Sequence, residues 1–282
     1  MTELVMACID GSSSSPSVCD YATWASRRLS APLTFLHVLD HAEYPIEPNL
    51  SGSIGLGARE ALLEELTALD EQRNRLALEQ GKVMLAAAQE RAEQAGLQGT
   101  LTRQRHGDLV EALQDVQDET RLYVLGREGE HPSANHVGSN LESVVRTLHR
   151  PILVTVDEYR EPTQVMVAFD GSETMRKGME MLAKSPLLKG LPIHVVKVGA
   201  DKSECHEQLA WAHDVLKDAG FDVQTTLLDG EVEATLRSYK EAHQIDLMVM
   251  GAYGHSRIRE FLVGSNTTKM ISRATVPMLL LR

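Results

Sequence analysis

The chain opens on a short continuous apolar run, Leu4-Val5-Met6-Ala7-Cys8-Ile9, which stops at Asp10-Gly11-Ser12-Ser13. That length, bounded by turn residues, predicts a strand buried on both faces, as in a parallel sheet. Helical spacing follows from Pro16 through Tyr21, Trp24 and Leu29, with the proline tolerated in a first turn. A second strand is predicted over residues 31–39. Pro45, Pro48, Gly52, Gly55 and Gly57 then break any regular pattern, so residues 40–57 read as an irregular excursion. From Ala58 to Gly96 apolar residues recur at helical intervals: Leu62, Leu63, Leu66, Leu69, Leu76, Val83 and Leu85. Gly81 inside this stretch marks a kink or a break into two helices, and Gly96 and Gly99 signal its end. A weak third strand follows over residues 97–104. A helix then opens near Asp108, with Val110, Leu113 and Val116 on one face. The fourth strand is Arg121 to Leu125, a helix begins at Gly138-Ser139-Asn140, and Pro151 to Val156 forms the fifth strand.

The same order then returns. Gln164 to Asp170, followed by Gly171-Ser172, repeats the opening strand and its turn, and Pro192 to Val198 matches strand two. A helix with Leu209, Ala212 and Leu216 covers residues 203–219. Residues 221–228 form strand three, Asp229-Gly230-Glu231 opens a helix, residues 246–250 form strand four, and residues 277–281 form strand five. Asp10 and Asp170 are 160 residues apart, but Gly126 and Gly251 only 125, so the first copy carries about 35 extra residues. They fall after strand two, in an insertion at about 40–95. The sequence therefore divides into residues 1–157 and 163–282, with the boundary near Asp157 to Pro162. Strands alternating with helices imply mostly parallel sheets with right-handed crossovers.

Composition narrows the function classes. The 282 residues suit two domains. The net charge of −12 argues against broad binding to nucleic acid or an anionic membrane. The start, Met1 to Val5, has neither a basic nor an apolar leader region, and no apolar run is long enough to span a bilayer. Cys8, Cys19 and Cys205 show no metal-like spacing and read as reduced thiols of a cytoplasmic protein.

Candidate chemistry gathers after strand four of the second copy. Gly251 and Gly254 stand three apart, nine residues intervene, and Gly264-Ser265-Asn266 leads into a helix-like segment over residues 267–273. Glycines let main-chain N–H groups approach a ligand, and a helix N-terminus favours an anion. Spacing alone leaves open a phosphate cradle and a tight strand-to-helix turn capped by Gly-Ser. The first copy has Gly126 and Gly129, then only eight residues to Gly138-Ser139-Asn140. Its loop, residues 127–137, carries net −1, whereas residues 252–263 carry net +1; carboxylates beside a polyphosphate oppose binding. Neither a P-loop nor a Gly-x-Ser-x-Gly elbow occurs, so no catalytic residues and no metal ligands are assigned.

Asp-Gly-Ser after strand one, His37-Val38 or Lys197-Val198 ending strand two, the Gly-x2-Gly-x9-Gly-Ser loop and Pro277-Met278-Leu279-Leu280 together resemble the universal stress protein family. The resemblance covers essentially the whole chain as two tandem domains. It implies an α/β fold of two doubly wound, Rossmann-like open parallel sheets of strand order 3-2-1-4-5. In the ATP-binding branch of the family the nucleotide lies at the carboxyl edge of the sheet, which agrees with the general rule for such sheets. By that resemblance Asp170 would touch the ribose or adenine, beside the main chain of Ala168 and Val198. Met250 would end strand four there, and Gly251 and Gly254 would admit ribose and phosphates. Gly264, Ser265 and Asn266 would hold the phosphates, although family members often carry an apolar residue where Asn266 stands. His255, Arg257 and Arg259 could screen phosphate charge. The expected cofactor is ATP, or ADP or AMP in its place, with Mg as an optional companion. The expected function is a nucleotide-binding stress-response regulator whose main site is in the second domain. The alternatives are a slow ATPase or adenylate-handling enzyme, and a non-catalytic interaction module with an empty site. Expected partners are a homodimer of tandem chains and an unidentified regulatory protein, with no nucleic acid and no membrane. Because family members commonly dimerise through the last strand, residues 151–156 and 277–281 could pair within this chain.

Overall fold

A strand with helices on both sides must hide both rows of its side chains, so continuous apolar runs take central positions. A computed structural model describes residues 3–39, 56–127, 139–252, 270–271 and 273–282, and in it the two opening runs lie at the middle of their halves. β1 (Leu4–Cys8) lies between β2 (Leu33–Leu39) and β4 (Thr120–Gly126), parallel to both. In the same way β6 (Val165–Ala168) lies between β7 (Ile193–Val198) and β9 (Leu247–Gly251). β3 (Leu101–His106) and β8 (Val223–Leu228) are the outer edges, and β5 (Ile152–Thr155) and β10 (Met278–Leu281) lie innermost. Each half thus has the order 3-2-1-4-5, as expected. The inner strands pair antiparallel, Leu279 opposite Leu153 and Leu280 opposite Ile152, so the two sheets join into one of ten strands.

Helices cover both faces. α1 (Ser15–Leu29), α2 (Leu56–Gln94), α5 (Glu173–Lys184) and α6 (Ser203–Asp218) pack on one core with Val5, Ala7, Val165 and Val167. α3 (Leu109–Asp115), α4 (Ser139–Thr147) and α7 (Val232–Ala242) pack on the other with Leu4, Met6 and Met166. The alternation along β1 and β6 divides their side chains between the two cores. Among the described residues no helix is long and apolar enough to cross a membrane.

Long side chains bind the halves together beyond the strand seam. Arg282 Nη1 donates to the carbonyls of Val145 (3.0 Å), Arg146 and Leu148 (2.9 Å), a cation at the carbonyl end of α4. Arg28 donates to Leu187 O at 2.9 Å and to Lys189 O.

Three details differ from the sequence reading. The third strand begins at Leu101 rather than at residue 97, because Gly96 and Gly99, with φ of 86° and 76°, carry the chain through left-handed turns first. α5 had not been anticipated, although Met175, Met179 and Leu182 have helical spacing and are buried. Gly81 neither ends nor divides α2, which runs unbroken from Leu56 to Gln94. A Cβ at Gly81 would lie 2.1 Å from Gln104 Nε2 and 2.7 Å from His37 Cδ2, so the glycine marks where α2 crosses closely over β2 and β3. Gln104 Nε2 donates to Leu78 O at 3.3 Å and Gln89 Nε2 to Thr100 O at 2.8 Å, while Arg91 holds Asp20 through two bonds of 2.7 and 2.8 Å. The irregular excursion lies outside the described residues, except that its last two positions already belong to α2.

Overpacking at such a crossing costs on the order of 1–3 kcal/mol. Gly81→Leu is expected to destabilise the protein by about that amount, despite leucine's better helix propensity by roughly 1 kcal/mol. Urea unfolding measures it, and equal or greater stability in the variant would refute the close-crossing account.

Candidate functional site

Where successive helices of a parallel sheet leave to opposite faces, a crevice opens beyond the strand ends. In the second half this happens between β6 and β9. β6 leads into α5 on one face, while the chain beyond β9 reaches Met270 and Ile271, which are buried in the opposite core. Register sets Ala168 opposite Val196 on β7 and Met250 on β9. Val198 lies two residues past Val196, and Gly251 directly follows Met250. Phe169 N donates to Val196 O at 2.8 Å, which carries the sheet one residue further and delivers Asp170 to the same edge. Ala168, Asp170, Val198, Met250 and Gly251 are thereby brought together. Gly254, Gly264, Ser265 and Asn266, with His255, Arg257 and Arg259, lie outside the described residues.

The turn after β6 follows from its sequence. Gly171 takes a φ of +79°, and Asp170 Oδ1 accepts from Ser172 N at 2.9 Å, an Asx turn. Ser172 then caps α5, its hydroxyl accepting from Met175 N at 3.2 Å. The Asp170 side chain is exposed. Its own carbonyl accepts from Lys197 Nζ at 2.8 Å, and Lys197 is only 7% exposed. This buried ammonium escaped the sequence reading. The available signal was a lysine inside the apolar run Val195-Val196-Lys197-Val198, where a lysine needs a specific partner.

The first copy uses the same framework with other chemistry. Asp10 Oδ1 accepts three bonds from its own turn, from Ser12 N (3.0 Å), Ser12 Oγ (2.6 Å) and Ser15 Oγ (3.2 Å). His37 takes the place of Lys197. Its Nδ1 lies 2.9 Å from Ile9 O, and because a carbonyl only accepts, that nitrogen carries the proton. Beyond β4, Arg127 donates to Ala274 O at 2.6 Å across the seam. A cavity of about 390 Å3 beside this turn is lined by Ile9, Gly11, Ser12, Cys19, Met84 and Arg91, between the end of β1, α1 and α2. Burial and the charge of Asp10 push the Cys8 thiol up to about 12, and burial raises Cys19 to about 12 as well. Neither sulfur is a thiolate near neutral pH, so neither is a ready nucleophile.

Two doubly wound halves, each with an Asp-Gly-Ser turn at its switch point, define a duplicated α/β protein. The universal stress protein family matches residues 1–155 and 162–282, and the chain belongs to that family. It is 36% identical over 284 residues to a universal stress protein of Synechocystis sp., covering 99% of both chains. A universal stress protein from Archaeoglobus fulgidus has a similar fold, with a TM-score of 0.72 at 18% identity over 99% of this chain and 98% of that one. A Pseudomonas aeruginosa protein described as a putative universal stress protein gives a TM-score of 0.61 at 14% identity, covering 99% of this chain and 93% of that one.

Removing the donor to a buried carbonyl costs about 1–3 kcal/mol. Lys197→Met is expected to lower stability by that amount, and Lys197→Arg, which keeps a cationic donor for Asp170 O, to recover much of it. Thermal unfolding of both variants measures this; equal loss in the two would show that the bond to Asp170 O is not what Lys197 contributes.

Proposed function

We propose that this universal stress protein is an adenine-nucleotide-binding regulator of the stress response. Its main site lies in the second of two domains, residues 163–282, and the first domain, residues 1–157, carries the insertion. The single observation that carries this reading is the convergence of Ala168, Asp170, Val198, Met250 and Gly251 at one switch point, with the Asp170 carboxylate exposed and its backbone pinned by Lys197. An exposed carboxylate at that edge suits the hydroxyl groups of a ribose, which donate hydrogen bonds. The family resemblance supplies adenine nucleotide, ATP or else ADP or AMP, as the ligand. Phosphates then fall to Gly254, Gly264, Ser265 and Asn266, and Mg would accompany a triphosphate. The first-copy carboxylate is already engaged by three donors of its own turn, and its loop is net negative, which supports a weaker or empty site there. The protein acts in the cytoplasm as a homodimer of tandem chains and passes the nucleotide state to a protein partner.

A hydrogen bond to a charged group contributes about 1.5–3 kcal/mol, or roughly 10- to 100-fold in affinity. In calorimetric titration of the whole chain with ATP, Asp170→Ala is expected to weaken binding by that factor, with Asp10→Ala nearly unchanged. A larger loss in Asp10→Ala would reverse the assignment of the main site, and absence of binding by the unaltered protein would end the nucleotide reading.

A further inference from the structure

The internal repeat shows what the first half leaves out of its own packing. The buried residues Leu85, Ala88 and Ala92 of α2 match Leu209, Ala212 and Leu216 of α6 at a constant offset of 124. Gly96 and Gly220, at the same offset, both turn at positive φ. By that register Ala87 stands where α6 has Trp211. Along α1 and α5 the offset is the 160 of the two aspartates, so Ile9, Ser15, Pro16 and Cys19 stand for Phe169, Met175, Arg176 and Met179. At all five positions the first half has the smaller residue.

In the second half the larger side chains close the space between the sheet end and its two helices. Trp211 stacks on Phe169, with ring centroids 6.2 Å apart and planes 21° from parallel. The Arg176 guanidinium lies 4.8 Å above the indole, a cation–π contact, and its Nε donates to Gly171 O at 3.3 Å. Met175 and Met179 are fully buried. In the first half the same space is the cavity of about 390 Å3, and all five smaller residues line it. Ligand sites run from roughly 300 to 1,000 Å3, so this volume suits a small molecule. Pro16 and Ala87 are exposed, which leaves the cavity open to solvent. None of its described lining residues belongs to β4.

Charge narrows the occupant. Glu90 and Arg91 both line the cavity, but Arg91 is already held by Asp20 through bonds of 2.7 and 2.8 Å. Asp10 stands between the lining residues Ile9 and Gly11, so the local balance is negative and favours a cation. Pro16 has no side-chain donor to offer Gly11 O, the counterpart of the carbonyl that Arg176 serves. We propose that this cavity binds a small aromatic cation. Its ring takes the place of the Trp211 indole, and its charged N–H group takes the place of the Arg176 guanidinium near Gly11 O. The first domain thus draws from solution the stack that the second builds from its own side chains. The inference rests on the internal repeat and does not depend on nucleotide binding by the second domain.

Calorimetric titration of the full chain with tryptamine, indole and indole-3-acetate tests it. Tryptamine carries ring and cation, indole the ring alone, and indole-3-acetate an anion in place of the cation. Tryptamine is expected to bind at a single site per chain, about tenfold or more tighter than indole-3-acetate, with indole between them. Ala87→Trp supplies the indole from the chain itself and is expected to weaken tryptamine by about tenfold or more, with an unfolding temperature no lower than the parent's. Pro16→Arg, at the other exposed position, is expected to do the same and stands in should the first variant fold poorly. Absence of tryptamine binding by the parent, equal affinity for tryptamine and indole-3-acetate, or unchanged affinity in the folded variants overturns the proposal. So does displacement of tryptamine by ATP, which would put it at a strand-end site.

Discussion

The antiparallel pairing of β5 with β10 is the constraint on which the rest of the molecule depends. Each half is a parallel sheet whose innermost strand would otherwise present an open edge, and open edges invite pairing with other chains. Joining them removes both edges at once and buries Ile152, Leu153, Val154 and Leu279 to Leu281 to 2% exposure or less. Because this one contact is antiparallel while each half is parallel, the strands of the two halves run in opposite directions. Their carboxyl edges therefore lie on opposite rims of the ten-stranded sheet. The two candidate sites share a framework and a core but lie on opposite rims.

That freedom is visible at matching positions. Both turns use a glycine at positive φ, 82° at Gly11 and 79° at Gly171, and in both a side chain from the helix after strand two lies over the turn. In the first half it is Met84 of α2, and in the second Gln208 of α6. A thioether covers one turn and a carboxamide the other. The strand-two residue that reaches the end of strand one is His37 in the first half and Lys197 in the second. The aspartate is tied by two serine hydroxyls in the first and exposed in the second. The second site has the lysine, the carboxamide and the exposed aspartate, and the hydroxyl-tied turn, the methionine and the inserted helix belong to the first.

Much of this was legible in the sequence, for stated reasons. Central strands advertise themselves because both faces must be apolar, so β1, β6, β9 and β10 stand out as uninterrupted runs. The repeat of Asp-Gly-Ser fixed the correspondence of the halves, and the strand order followed once the family resemblance was in hand. The edge strand β3 was shifted because its burial is partial and its alternation weak, with Arg103 and Arg105 held by Glu119 and Asp115. Periodicity recorded that residues 58–96 are helical but could not tell which apolar stripe faces the body. Leu85 and Leu76 look alike in the sequence, yet one is buried and the other is 60% exposed. Lys197 and His37 are visible in the sequence only as the ends of strand two, because the contribution of each lies in a carbonyl 28 or fewer positions away.

The closed seam and the inserted helix explain each other. A single-domain member of such a family has its last strand available for a second copy, so association and fold share one edge. In this chain the duplication satisfies that edge internally, and further assembly has to come from elsewhere. Of the remaining surfaces, the outer strands β3 and β8 carry many polar side chains, including Arg103, Arg105, Gln224 and Thr225, and such edges discourage pairing. α2 differs from them in turning Leu69, Leu76 and Val83 outward. The same helix also closes over the first turn through Met84. The inserted helix thereby covers the first turn with an apolar side chain, whereas α6 covers the second with the polar Gln208.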